Sequence, residues 1–207
     1  MDKATELIAC PFWRTEMKLL TEKDLIEGCK NRDRKVQAFL YRRYYSDFLK
    51  VCFRYSANQQ DAEQWMNDGF YKIFTRIDQF EYKGSFEGWM KRIVVHTCLD
   101  NLRSAIHKHS SQLDEIDEQK AAHLKDNDLH GPIQNLSYKE LIALIHSLPT
   151  MHKTVFNLYV FDGYSHKEIA VKLNIKEGTS QWYVNQAREL LKQRIPMHTS
   201  KMMRYDK

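Results

Sequence analysis

The side chains most suited to bond-making chemistry do not form a legible catalytic pattern. Nine histidines invite a metal or a proton shuttle, yet none forms His-Glu-x-x-His or a tight His/Cys cluster. His107, His109, His123 and His130 lie in or near an acidic stretch, where chance placement suffices. Cys10, Cys29, Cys52 and Cys98 are widely spaced and include no Cys-x-x-Cys pair. They read as reduced thiols of a cytoplasmic protein, not as a zinc site or disulfide framework. No Gly-x-x-x-x-Gly-Lys-Ser/Thr loop is present to cradle a nucleotide, and no nucleophile–base arrangement is legible. The expectation is a non-enzyme with no metal and no cofactor. Non-covalent recognition fits better. The run Ser165-His-Lys-Glu168 is a capping box, in which the serine hydroxyl accepts from the Glu168 amide and the carboxylate reaches back. Ile169, Ala170 and Leu173 follow at core spacing, and Asn174 stands where a tight turn needs a left-handed residue. A further helix carries Val184, Ala187, Leu190 and Leu191 inward. Two helices joined by a tight turn, with a small residue where they approach, describe a helix-turn-helix, whose chemistry is DNA binding.

The elements that must hold these residues are helical. Seven glycines and four prolines in 207 residues argue against a turn-rich β protein. A hydrophobic fraction of 43% suffices for packed cores. Ala62, Trp65, Met66, Gly69, Phe70, Ile73, Phe74 and Ile77 make one apolar stripe, opposite Asp61, Gln64, Asn67, Asp68 and Lys72. Val36, Phe39, Leu40, Phe48, Val51, Cys52 and Tyr55 predict a long helix upstream. Phe86, Trp89, Met90, Ile93 and Val94 start another, running to about Leu102. Between them lies a loop, Glu81-Tyr82-Lys83-Gly84-Ser85, bracketed by Phe80 and Phe86. A short helix near Thr21–Cys29 opens with a capping-box-like Thr21-x-x-Asp24. Farther on, Leu141 to Leu148 and Val155 to Val160 predict two helices, stopped by Pro149 and by Asp162-Gly163.

Charge divides the chain. Residues 17–110 carry a net +5 and residues 137–207 a net +5, while residues 111–136 carry a net −4. That acidic stretch lacks sustained periodicity, ends near Gly131-Pro132 and reads as a linker. The expected fold class is all-α, two small helical domains joined by a flexible acidic linker. No window approaches the roughly eighteen apolar residues a membrane span needs, and the charged first residues do not resemble a secretory signal.

Three segments resemble a known family. DAEQWMNDGFYKIFTRIDQF, SFEGWMKRIVVHTCLDNLR and LPTMHKTVFNLYVFDGYSHKEIAVKLNIKEGTSQWYVNQAREL are similar to regions two and four of extracytoplasmic-function sigma factors. The resemblance implies a dissociable subunit of bacterial RNA polymerase, in the cytoplasm, without membrane insertion. Its partners would be core polymerase, double-stranded promoter DNA, single-stranded non-template DNA and an anti-sigma factor. Region two, over 17–107, would bind polymerase and open the −10 element. Region four, over 137–197, would read the −35 element. Residues 108–136 would be the linker, 1–16 an N-terminal extension and 198–207 a tail.

Residue by residue, the implied polymerase contacts are Asp61, Glu63, Gln64, Asn67 and Asp68. Asn67-Asp68 replaces the family's usual Gln-Glu. An acidic and amide strip beside an aromatic stripe suits a helical partner bearing arginines. Tyr82, Lys83, Gly84, Ser85 and Phe86 fall where the family captures a flipped base, which needs a stacking face and backbone donors. Phe86 and Trp89 are also candidates for the core. On the next helix Lys91, Arg92, His96, Asp100, Asn101 and Arg103 fall on the promoter-facing segment, with His96 where the family commonly has Asn. The implied −35 contacts are Ser165, Lys167, Thr179, Gln181, Trp182, Tyr183, Asn185, Gln186 and Arg188. Where the family has Gly-Thr-Val-Lys-Ser-Arg, this chain has Gly178-Thr179-Ser180-Gln181-Trp182-Tyr183. Fewer positive charges weaken non-specific affinity, whereas Gln and Asn still pair with adenine edges. Trp182 and Tyr183 have two options: sugars and thymine methyls, or packing on the preceding helix.

Two other classes of function compete with this one. A self-standing helix-turn-helix regulator explains residues 137–195 but leaves the Asp61–Arg103 constellation unexplained. An enzyme lacks a legible site.

Overall fold

The structure is a computed structural model that describes residues 20–110 and 136–202, with side chains described over 20–104 and 140–194. Among the described residues every regular element is helical. Two compact units emerge. The first draws its described residues from Met1–Phe53 and Gln60–Ser104, the second from Arg54–Gln59 and Ala105–Lys207. The expected linker core, the N-terminal extension and the last tail residues lie outside the described residues.

The first unit opens with α1, Glu22–Lys30, where the predicted capping box forms. The Asp24 amide donates to Thr21 Oγ1 at 3.2 Å and the Thr21 amide donates to Asp24 Oδ2 at 2.9 Å. The Thr21 hydroxyl also donates to Asp24 Oδ2 at 2.6 Å, and this bond first, then the one from the Thr21 amide, holds the Asp24 carboxyl below its ordinary value. Leu25, Ile26 and Cys29 are the buried face. Helices α2, Arg34–Tyr55, and α3, Gln59–Arg76, follow. A 3-10 turn, Ile77–Gln79, leads to the loop and then to α4, Phe86–Ser110. The apolar stripe of α3 is buried at Ala62, Trp65, Met66, Gly69, Phe70 and Ile73, as its period predicts. Gly69 lets α4 come close: a Cβ there would stand 3.2 Å from Val94 Cγ2. Helix α4 continues eight residues beyond the predicted Leu102, to Ser110. No glycine or proline interrupts residues 103–110, so nothing local stops it.

The second unit holds α5, Leu136–His146, and α6, Thr150–Phe156, with Pro149 at the α6 N-cap. The helix predicted over Val155–Val160 instead widens into a π turn, Asn157–Phe161, closed by the Asp162 amide donating to the Asn157 carbonyl at 3.1 Å. Helix α7, His166–Leu173, begins in the predicted Ser165–Glu168 capping box. Asn174 is left-handed at φ 53, ψ 49, and the Ile175 amide donates back to the Ala170 carbonyl at 3.0 Å. The turn delivers α8, Glu177–Met202, which passes through Pro196 and beyond the predicted boundary at 197. The unit's core contains Ile142, Ile145, Leu148, Val155, Leu158, Ile169, Val184 and Ala187. It also buries the Asp162 carboxylate, which accepts from Arg54 Nη2 at 3.0 Å and from the Tyr55 hydroxyl.

Candidate nucleic-acid interface

On α3 the polar face stands opposite the buried stripe. Gln64 and Asn67 are exposed, while Asp61, Glu63 and Asp68 are half-buried. Spacings of three and four residues put Asp61, Gln64, Asn67 and Asp68 on one side of the helix. Asn67 is held in place, because the Tyr41 hydroxyl donates to its Oδ1 at 2.9 Å. Behind it the Phe70 ring lies 4.7 Å from Tyr41 and 5.7 Å from Phe48. Asp68 also lines a groove of about 480 Å³ between α3 and α4, with Tyr71, Lys72, Arg76, Asp100 and Asn101. The strip is therefore an array of carboxylates and amides with Asn67 held in place by Tyr41.

The loop before α4 owes its shape to two left-handed residues. Tyr82 has φ 59 and Gly84 φ 93. Glycine takes that conformation freely, and a Cβ at 84 would meet nothing within 4 Å. Tyr82 is 51% exposed while Phe80 and Phe86 are buried. The Phe80 ring touches Tyr82 at 5.2 Å, Phe86 at 5.2 Å and Trp89 at 5.5 Å. Lys30 places its ammonium over the Tyr82 ring at 5.3 Å. Lys83 pairs with Glu81 at 2.6 Å, and Ser85 Oγ accepts from the Gly88 amide at 3.2 Å. Tyr82 is thus an exposed aromatic that carries the Lys30 ammonium over its ring, Lys83, Gly84 and Ser85 beside it are exposed, and Phe86 forms the buried floor. Trp89 is half-buried.

Along α4, Arg92, His96, Asp100 and Arg103 are exposed and repeat at helical spacing. Lys91 and Asn101 are half-buried. Asp100 binds Lys72 at 3.2 Å and approaches Arg103 at 3.7 Å. The Asn101 side-chain amide donates from Nδ2 to the Thr97 carbonyl at 3.1 Å. The face is cationic, and its one carboxylate, Asp100, pairs with Arg103 of the same helix and with Lys72 of α3.

In the second unit Gln181, Trp182, Asn185, Gln186 and Arg188 are exposed on α8, and Lys167 is exposed on α7. Thr179 and Tyr183 are half-buried, whereas Ser180, Val184 and Ala187 are buried. Ser165 is committed to its cap: its Oγ accepts from the Glu168 amide at 3.3 Å and its amide donates to Glu168 Oε2 at 2.8 Å. Tyr183 packs edge-on against His152 of α6, centroids 4.9 Å apart. Arg188 places its guanidinium 6.0 Å from the centre of the Tyr159 ring, which stacks on His166 at 4.3 Å. His166 Nδ1 is 3.0 Å from Ser180 Oγ. The sequence reading missed His152, Tyr159 and His166. Only His166, inside the capping-box run, carried any signal.

Matches over both units decide what these faces belong to. Residues 40–106 match Sigma-70 region 2, and residues 138–191 match Sigma-70, region 4. Together they cover more than half of the chain.

The chain belongs to the extracytoplasmic-function sigma factors.

Among its relatives, the ECF RNA polymerase sigma factor SigE of Mycolicibacterium smegmatis is 26% identical over 168 residues. That match takes in 78% of this chain, which spans only 62% of the relative's length. The ECF RNA polymerase sigma-E factor of Haemophilus influenzae is 26% identical over 182 residues, 85% of this chain and 96% of the relative. A solved structure of the sigma factor RpoE in complex with the anti-sigma factor NepR from Bartonella quintana shares the fold. Its TM-score is 0.53 at 15% identity, covering 77% of this chain and 96% of that one. As a sigma factor the protein is a promoter-recognising transcription initiation factor. The region 2 match holds the α3 strip, the Tyr82 loop and the α4 face, and the region 4 match holds both helices of the helix-turn-helix. No helix among the described residues of this sigma factor is long and apolar enough to cross a membrane. Among the same residues no group of three His, Cys, Asp or Glu is placed to hold a metal ion.

Proposed function

We propose that this sigma factor recruits bacterial core RNA polymerase through the α3 strip and uses the other faces on promoter DNA. Asp61, Glu63, Gln64, Asn67 and Asp68 present carboxylates and amides to cationic side chains of the polymerase. Tyr82, Lys83, Gly84 and Ser85 receive an unstacked base of the non-template −10 strand over the Phe86 floor. Lys91, Arg92 and Arg103 hold phosphates, which position the duplex without specifying sequence. His96, Asp100 and Asn101 lie on the same −10-facing helix. Gln181, Asn185 and Gln186 read −35 base edges and Trp182 adds apolar contact. Lys167, Thr179 and Arg188 support them at the DNA backbone, and Ser165 acts by setting the start of α7.

Region two is assigned to residues 17–107 and region four to 137–197. Residues 108–136 act as linker, 1–16 as an extension and 198–207 as a tail. The protein works in the cytoplasm without catalysing a reaction of its own, and an anti-sigma factor holds it inactive by covering these same faces.

The observation that carries this reading is the pairing, within the first unit, of Tyr82, 51% exposed, with a cationic α4 face. An aromatic face and a cationic helix together suit single-stranded DNA. Runoff transcription with core polymerase on a genomic library tests the activity and identifies the promoter. Promoter-specific transcripts are expected. No attachment to core polymerase would sink the reading.

A further inference from the structure

On α6, His152 faces the head of the recognition helix. Its ring meets Tyr183 at 4.9 Å, interplanar angle 88°, and Trp182 at 5.6 Å. Trp182 and Tyr183 meet each other edge-on at 5.1 Å. The three rings form a closed cluster, with Tyr183 half-buried and Trp182 still 52% exposed. His152 Nδ1 is buried and makes no hydrogen bond. A buried, unpartnered nitrogen costs free energy, so stability alone gives poor reason for a histidine here. Burial also lowers the pKa of the ring, keeping it neutral. The cluster therefore presents shape and apolar surface rather than charge. Its outward member, Trp182, stands beside Gln181 and within one helical turn of Asn185 and Gln186, all exposed.

We infer that His152 is a positioning residue for −35 recognition: it buttresses Tyr183 and Trp182 so that the Trp182 indole meets a thymine methyl group in the major groove. The inference rests on the reading of α8 as the −35-reading helix. Without the His152 ring, a gap opens on α6 beneath the two aromatics. The indole then folds back into the gap and leaves the groove. Apolar contact with the thymine methyl is the way an apolar side-chain surface distinguishes bases there.

The test uses the full chain with core polymerase on the promoter identified by runoff. Each −35 thymine is replaced in turn by deoxyuridine, which removes only the methyl group. Wild-type protein is expected to lose about three- to fivefold in open-complex formation at one such position, the worth of a buried methyl. H152A and W182A lose a similar factor on the thymine promoter and no longer sense the replacement. The double variant loses no more than either single one. H152F keeps a ring and retains discrimination, whereas H152Q does not. This pair keeps the test decisive if H152A unfolds. The number of phosphate contacts is unaltered, so the salt slope of H152Q stays that of wild type. If wild type initiates without regard to the −35 element, the reading of α8 fails. If it depends on the element but never distinguishes thymine from deoxyuridine, or if H152Q discriminates as wild type does, the inference alone is overturned.

Discussion

At Lys153 burial works against charge. The residue is 8% exposed, and desolvation lowers its pKa to about 8 from 10.5. Its ammonium donates to the Ser56 carbonyl at 3.3 Å. A base with a depressed folded pKa binds fewer protons folded than unfolded between the two values. Stability therefore rises as pH climbs from about 8 towards 10.5, and the full penalty is present below 8. Lys153→Met is expected to raise stability at pH 7 by on the order of 3 kcal/mol, less the loss of one hydrogen bond. Urea unfolding at several pH values checks this: the two proteins' midpoints should converge above pH 10.5. This burial is not legible from local sequence, because a lysine next to His152 on an amphipathic turn reads as surface. Cys29 went the other way. Its reading as a reduced thiol fits a buried group whose pKa is pushed up to about 11, mainly by desolvation and then by Asp33.

Helix starts were the most legible elements. Thr21 and Ser165 both cap as their sequences predict, since a capping box needs only residues three apart. Ser165→Ala removes the hydroxyl that accepts from the Glu168 amide and should lower stability by about 1 kcal/mol. Thermal unfolding of the DNA-free protein would show it, which separates a structural role from loss of a phosphate contact. Close approach was less legible. A Cβ at Gly28 of α1 would stand 2.8 Å from Val36 Cγ2 and 3.0 Å from Val36 Cβ. Alanine would gain about 1 kcal/mol of helix propensity, yet the stiff β-branched neighbour has little room to retreat. Gly28→Ala is expected to be destabilising by about 1 kcal/mol net, since overpacking costs roughly 1–3 kcal/mol. A calorimetric midpoint unchanged or raised would contradict it. The π turn at Asn157–Phe161 escaped prediction altogether, because its apolar residues satisfy a helical period whether the turn is tight or wide.

For the whole molecule the energetics demand a partner. Opening about ten base pairs costs roughly 14 kcal/mol at about 1.4 kcal/mol per step. Stacking one or two bases on aromatics returns about 1–3 kcal/mol each. The sequence has no phosphate loop to couple nucleotide hydrolysis. The free chain is therefore expected to melt no promoter, and permanganate reactivity of promoter thymines should appear only when core polymerase is added. Reactivity with the chain alone would contradict this.

Local rules were enough to establish the helices, their caps, the left-handed Asn174 and the apolar stripe of α3. Each depends on residues within a few positions of one another. Tertiary structure decided which of several like residues face outward. Tyr82 is exposed while Phe86 beside it is the floor, and Trp182 is exposed while Tyr183 leans on His152. Aromatic identity is the same on either side of that division. Exposure is set by neighbours such as Phe80 and His152, and for the recognition helix that neighbour arrives from thirty residues away.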